Sequence, residues 1–352
     1  MPDLSSHLAG LACFRGVPAD DLRAAATEFR PRVLTPGEVL WSKGQSASSL
    51  ALIVEGSLQA RTTEANLSRM GPGDIVGEVT AFFPSKRRSA DVVATGPCRL
   101  MELSTRGLQR LRGTSVYLAL LDHALVAMAK RLRRLDGRIA AESLGSRKTP
   151  SRSAVPGLVR LWRTLVAGGP KSSCPPLHVA LRRRKDLNDV AVDLAVAMKD
   201  SFKAVPVEEG EVVFLEGEEG DALWLVAEGT IEVLRTQDEE RSELVVRLGP
   251  GAFFGMNAVL DGGLRGASCV AATAGWLYKL DRGLVWTPPG KVALAWKEAQ
   301  LVTLATQLRR ATTALDSAQL SVASGQVMAT DADDAFDELS WSSMGFGRSS
   351  ST

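Results

Sequence analysis

Two stretches of this chain repeat one another. Residues 37–56 read GEVLWSKGQSASSLALIVEG and residues 210–229 read GEVVFLEGEEGDALWLVAEG, aligned without a gap through Gly37/Gly210, Gly44/Gly217, Leu50/Leu223 and Gly56/Gly229. Farther along, MGPGDIVGE (70–78) pairs with LGPGAFFGM (248–256), and VVATGPCRLMEL (92–103) with VAATAGWLYKL (270–280). The offset grows from 173 to 178 between Gly56 and Gly71, where the second copy carries the polar tip TQDEERSE. Matched glycines at turns, with the length change confined to a loop tip, mark a duplicated folding unit. Whatever one copy folds into, the other must fold into as well.

Within each copy, short β-branched or apolar runs are bounded by Gly, Pro or Asp every eight to twelve residues, the spacing of a small antiparallel roll. Strands are expected at Glu38–Trp41, Leu50–Val54, Ser57–Thr62 and Ala90–Ala94 of the first copy. The expected fold class is mainly β with α: two tandem antiparallel β-roll (jelly-roll-like) barrels, each flanked by N-terminal and C-terminal helices. A length of 352 residues leaves room for two cores.

The long flanking helices show in their heptads. Leu118, Leu121, Leu125, Met128, Leu132, Leu135 and Ile139 follow spacings of three and four, and Leu301, Leu304, Leu308, Ala311, Leu315, Ala318 and Val322 repeat the seam. These place a first domain at 1–143 and a second at 177–323. Between them, 144–176 reads as a basic Ser/Pro-rich linker, and 324–352 as an acidic, Ser-rich tail expected to be disordered.

Several function classes drop out. Cys13, Cys98, Cys174 and Cys269 form no CxxC pair, and the three histidines are isolated, so no metal site is expected. Scattered cysteines and the lack of a secretory leader predict reduced thiols and a cytoplasmic location. Val116–Ala129 is too short and too polar for a membrane span. No hydrolase, kinase or cyclase motif is present, so an enzyme is not expected.

The chemistry gathers in GPGDIVGEVTAFFPSKRRSADVVA, residues 71–94. Gly77 and Glu78 open a short helical turn, and Arg88-Ser89-Ala90 follows ten residues after Glu78. Backbone N–H groups at a helix start together with a guanidinium fork suit a phosphate anion. Glu78 is an acceptor for a hydroxyl, and Ser89 adds one more polar contact.

These residues, set in a glycine-punctuated roll, resemble the cyclic-nucleotide-binding domain family, which includes the bacterial cyclic AMP receptor and the regulatory subunit of protein kinase A. The resemblance covers about residues 8–143 and 178–322. It implies that Glu78 binds the ribose and Arg88 the cyclic phosphate, with Gly77, Val79, Ser89 and Ala90 completing the cradle. Arg131, in MAKRLRRLD (128–136), matches an arginine of the receptor's lid helix. Leu135-Asp136 stands where that receptor has a Thr-Ser pair at the adenine, which leaves the base preference open: cyclic AMP is the first choice of ligand, cyclic GMP the second, and a chain with no ligand the third.

The second copy departs from the pattern. Gly255 and Arg265 remain, but Met256 replaces the glutamate and Gly266 the serine hydroxyl. A thioether cannot accept from a ribose hydroxyl, and burying that group unpaired costs about 1–3 kcal/mol. The second pocket is read as degenerate.

The resemblance also implies a sensor: ligand enters the first domain, the 115–140 helix closes over the base, and its shift changes how the basic linker, the second domain or the tail presents itself to a protein partner. A homodimer through helices 115–140 and 295–322 is the other expected assembly. The rival reading is a ligand-free scaffold that uses the two barrels and the basic linker for protein assembly. No helix-turn-helix follows either helix, so DNA is not expected. Between Lys130 and Lys185 stand about 15 Lys/Arg against Asp136 and Glu142, read as a solvated linker or a seat for an anionic partner. The tail DADDAFDELSWSSMGFG, with Phe336, Leu339 and Trp341, reads as a docking peptide or an inert end.

Overall fold

A computed structural model describes residues 4–63, 66–82, 87–145, 170, 172–236 and 242–324. The linker residues 146–169 and the tail from 325 onward lie outside the described residues, as do Phe83–Lys86 in the cassette.

Strands β1 (Phe29–Leu34), β2 (Val39–Trp41), β3 (Ser49–Glu55), β4 (Leu58–Arg61), β5 (Asn66–Met70), β6 (Ile75–Val76), β7 (Asp91–Ala94) and β8 (Cys98–Ser104) build the first roll. They form two four-stranded sheets of order β1-β8-β3-β6 and β2-β7-β4-β5, antiparallel in every pairing. The expected strands agree with β2, β3, β4 and β7 to within one or two residues. Between the sheets pack Leu40, Trp41, Ala51, Ile53, Leu58, Met70, Val76, Val92 and Leu100. Leu50 and Leu52, on the opposite face of β3, are buried as well. Cover on both faces accounts for the uninterrupted apolar run LALIV in that strand.

Helices α1 (Leu4–Ala9) and α2 (Ala19–Ala26) precede the roll, α3 (Glu78–Ala81) interrupts it, and α4 (Thr105–Arg110) and α5 (Ser115–Gly145) follow. Ser104 caps α4 by accepting from the Gly107 amide at 3.0 Å, the ordinary N-cap geometry.

The second copy repeats the plan. Helices α6 (Leu177–Arg182) and α7 (Ala191–Ala197) lead into β9 (Phe202–Val207), β10 (Val212–Phe214), β11 (Ala222–Glu228), β12 (Ile231–Thr236), β13 (Ser242–Leu248), β14 (Phe253–Phe254), β15 (Ser268–Ala271) and β16 (Gly275–Asp281). Sheet orders are β14-β11-β16-β9 and β10-β15-β12-β13, strand for strand those of the first copy. Helix α8 (Met256–Asp261) stands at the place of α3, and α9 (Arg282–Trp286) and α10 (Gly290–Ser324) close the chain. The segment ahead of α6 is tied to β16, where Trp276 Nε1 donates to the Ser172 carbonyl at 2.8 Å and Tyr278 Oη to that of Pro175 at 2.7 Å.

The heptad seam of α5 is buried at Leu121, Leu125, Met128, Leu132 and Leu135. Val116, Leu120, Ala124 and Ala129 are buried too, so the covered face is wider than a two-position seam.

The chain divides into two compact units, one of residues 1–131 and 304–352, the other of residues 132–303. Helix α5 thus changes unit between Arg131 and Leu132, and α10 between Thr303 and Leu304. In the first unit, Asp316 of α10 accepts from Thr62 Oγ1 at 2.7 Å and pairs with Lys43 Nζ at 3.4 Å. In the second, Arg133 of α5 forks onto Asp261.

Candidate functional site

The first cassette folds around an arginine with an aromatic floor. Arg88 is buried, its guanidinium carbon 3.6 Å from the Trp41 ring centroid, and Nη2 donates to the Ser49 carbonyl at 2.7 Å. Its backbone is pinned on both sides: the Gly44 amide donates to the Arg88 carbonyl, and the Arg88 amide to that of Gln45, each at 2.8 Å. Burial lowers the Arg88 pKa to about 10, against the pull of Glu102 and Glu78. The group remains a cation at neutral pH. A guanidinium this deep suits a fixed anion better than a solvated one.

Gly77 makes the approach possible. Its φ is 83°, and a Cβ there would lie 2.6 Å from Arg88 Nη1 and 2.9 Å from the Trp41 ring. Either fact alone would favour glycine.

Glu78 begins α3 with its side chain wholly buried. Arg131 of α5 donates to its Oε1, and the other Arg131 nitrogen donates to the Ile75 carbonyl at 2.6 Å. Glu78 Oε2 is equally buried and accepts from no group. Burial raises the Glu78 pKa, opposed by the Arg131 and then the Arg88 charges. The structure therefore brings Gly77, Glu78, Arg88 and Arg131 together around one spot. Val79 is half-buried, Ala90 buried and Ser89 exposed.

Sequence reading missed two residues here. Trp41 was assigned only to a strand, although the repeat pairs it with Phe214, and an arginine lies over each ring. Comparing aromatic positions between the copies would have found it. His123 of α5 has its Nε2 buried without a partner, and burial lowers its pKa, opposed by the neighbouring Gly73 and Asp74 of the GPGD turn.

The second cassette keeps the framework and changes the chemistry. Gly255 has φ 75°, and Arg265 is buried 4.0 Å over the Phe214 ring, donating to the Gly255 and Ala222 carbonyls at 2.7 and 2.8 Å. Its Nη2 also meets Asp221 Oδ1 at 3.0 Å, while Lys279 Nζ takes the other oxygen at 2.8 Å. Burial would raise the Asp221 pKa, but Lys279 and Arg265 together hold it below the usual carboxylate value. Met256 stands in Glu78's place and is buried. At the rim, Glu216, Glu218, Glu219 and Asp221 replace Lys43, Gln45, Ser46 and Ser48 of the first copy. One positive charge has become four negative ones, a field that repels an incoming phosphate.

Among the described residues no group of His, Cys, Asp or Glu side chains could hold a metal ion, and no helix is long and apolar enough to cross a membrane. The four cysteines are unpaired.

Residues 31–115 and 204–286 each match the cyclic nucleotide-binding domain. The chain thus carries two segments, one in each roll, that match that domain. Among curated proteins it is 37% identical over 91 residues to the cyclic AMP receptor protein of Thermus thermophilus, covering 26% of this chain and 41% of that one. It is 30% identical over 86 residues to the CRP-like cAMP-activated global transcriptional regulator of Mycobacterium tuberculosis, covering 24% and 38%. The chain thus spans about two fifths of the length of these relatives. Among solved structures it is similar to the regulatory domain of Toxoplasma gondii PKA with cAMP, at 16% identity, TM-score 0.30, and 83% and 92% coverage of the two chains. A putative cyclic nucleotide-binding protein from Geobacter metallireducens gives 18% identity, TM-score 0.33, and 38% and 98% coverage.

Proposed function

We propose that the chain is a non-enzymatic regulator that binds a cyclic nucleotide in its first copy and passes the event to a protein partner. The observation that carries this is Glu78. A buried carboxylate oxygen with no donor costs about 1–3 kcal/mol, and a ribose hydroxyl would relieve that cost. Beside it Arg88 supplies the countercharge for a cyclic phosphate, with the Gly77–Val79 backbone as the rest of the cradle. Arg131 couples the ribose contact to α5, so closure of that helix would follow from filling the pocket.

Cyclic AMP is the first ligand to try, because the names of the relatives carry it, and cyclic GMP the second. The heptad positions from Leu121 to Leu135 of α5 and from Leu301 to Leu315 of α10 are already covered within the chain, so a homodimer would have to use other surfaces. A cytoplasmic setting fits the unpaired cysteines. Docking through the basic linker or the acidic tail involves residues outside the described ones. No helix-turn-helix pattern supports DNA as a partner.

The scaffold reading has an observation of its own: Glu78 already holds Arg131, and Arg88 is already seated on Trp41 and Ser49, so the cassette coheres without ligand. Thermal shift with cyclic AMP and cyclic GMP decides, wild type beside Arg88→Leu. A rise of several degrees that the substitution abolishes supports the sensor. No rise with either nucleotide leaves the scaffold.

A further inference from the structure

The inner face of the first roll changes character at one end. On β8 the inward row runs Cys98, Leu100, Glu102, and only the first two belong to the core between the sheets. On β3 Ser49 precedes Ala51 and Ile53 of that core in the same way, and on β1 Arg32 precedes Leu34. The register sets Glu102 opposite Ala51 on one side and Arg30 on the other, so Ser49 and Arg32 are its diagonal neighbours. Three adjacent strands thus end their apolar rows in an arginine, a glutamate and a serine.

The three meet beside the cassette arginine. Ser49 Oγ donates to Glu102 Oε1 at 2.5 Å, and Arg32 Nη1 lies 3.6 Å from Glu102 Oε2. The carbonyl of the same Ser49 takes Arg88 Nη2 at 2.7 Å. One buried residue therefore holds Glu102 with its side chain and Arg88 with its backbone. Of the two carboxylates whose charge favours the Arg88 cation, Glu102 acts more strongly than Glu78.

The second copy has none of the three. The matching registers put Val205, Ala222 and Lys279 where Arg32, Ser49 and Glu102 stand. Arg265 still donates to the Ala222 carbonyl at 2.8 Å, so the backbone seat survives without the acid. A roll that closes with Val, Ala and Lys does not need Arg, Ser and Glu to fold. The copy that has them is the copy that has Glu78.

We propose that Glu102 is a positioning residue for the first pocket: through Ser49 it fixes the direction of the Arg88 guanidinium and supplies a countercharge that holds this buried cation ready for an anionic ligand. A planar fork binds an anion well only when its direction is set beforehand, and a buried charge is retained only where an opposite one compensates it. Arg32 is the lesser member, being partly exposed and at longer range.

The affinity arm of the test rests on the nucleotide reading; the orientation arm does not. The orientation arm uses the full chain without nucleotide, its arginines labelled for nuclear magnetic resonance. The Arg88 signal is the one that Arg88→Leu removes. Rotation of its guanidinium should be slow in wild type and severalfold faster in both Glu102→Gln and Ser49→Ala. The unfolding midpoint of Ser49→Ala should change little, because Ala222 already fills that place in the second roll. Rotation unaltered in both variants overturns the proposal whether or not a nucleotide binds. In calorimetry, Glu102→Gln should bind cyclic AMP about tenfold more weakly, the lower end for a lost contact to a charged group, and Ser49→Ala should weaken it less. A wild type that binds while both variants keep its affinity overturns the proposal as well. A wild type that binds no nucleotide refutes the nucleotide reading, and the orientation arm alone then decides whether Glu102 positions Arg88.

Discussion

The Arg88 guanidinium carbon stands 3.6 Å above the centroid of the Trp41 ring, and Arg265 holds the corresponding station 4.0 Å above Phe214. An aromatic floor under the cassette arginine is thus common to both copies, although the residues around it have diverged. The ring offers its electron-rich face to a cation that burial has stripped of water.

Trp41 therefore serves both stability and the site. Trp41→Ala should destabilise the chain by about 3–5 kcal/mol, the usual cost of emptying a core aromatic. Trp41→Phe copies the second unit and keeps the floor, so its cyclic AMP affinity should fall less than about tenfold, a cation–π loss of roughly 0.5–1 kcal/mol. Urea unfolding and calorimetry on the two variants check this. Equal losses from Phe and Ala would remove the ring from the account.

Calorimetry with cyclic AMP should give one tight site per chain, the second weaker by tenfold or more. Met256→Glu alone should not restore the second site. It would bury a carboxylate at a position 2% exposed, and at Arg131's place in the seam α10 carries Ala314. An uncompensated buried charge costs about 3–5 kcal/mol, so a lower unfolding midpoint is expected. A second tight site with stability intact would contradict the assignment.

Glu78 also predicts a pH dependence. Its folded pKa lies above the unfolded value of 4.5 because burial outweighs Arg131 and Arg88. The folded chain therefore holds the proton more tightly, and this group's contribution to stability falls as pH rises from 4.5 through the folded value. Glu78→Gln should flatten that decline, seen in urea midpoints measured upward from pH 4.5. Cyclic AMP binding should weaken in the same variant. Identical slopes for the two proteins would show that another group titrates.

Burial pushes Cys13 and Cys269 up to about 12, and raises Cys98 and Cys174 as well. Thiolate is the reactive form, so the native chain should react slowly with a disulfide reagent at pH 8 and release four thiols once unfolded. A fast native thiol would contradict the burial that raises these pKa values.

Much of this was legible in the sequence. The repeat supplied the fold, because turn glycines and alternating runs are local signals that survive divergence, and β2, β3, β4 and β7 fall where the runs place them. Gly77, Glu78, Arg88 and Arg131, singled out by the cassette motif and the α5 arginine, do converge in the fold. What could not be read was pairing across distance. Nothing in the sequence links Asp221 to Arg265 and Lys279, and only the folded β11 and β16 bring the three together. Likewise the heptad seams of α5 and α10 give no sign that Arg133 and Asp316 reach different units, since periodicity reports a face and not its neighbour.

The contact of Asp316 with Thr62 and Lys43 bears on how the protein can be dissected. A fragment cut within the linker would contain the whole first repeat by sequence, yet would lack the stretch after residue 304 that packs in the same unit. Its barrel would lack the Asp316 carboxylate that meets Lys43 and Thr62 in the intact chain. Measurements on such a half would describe a different molecule from the first half of the intact chain.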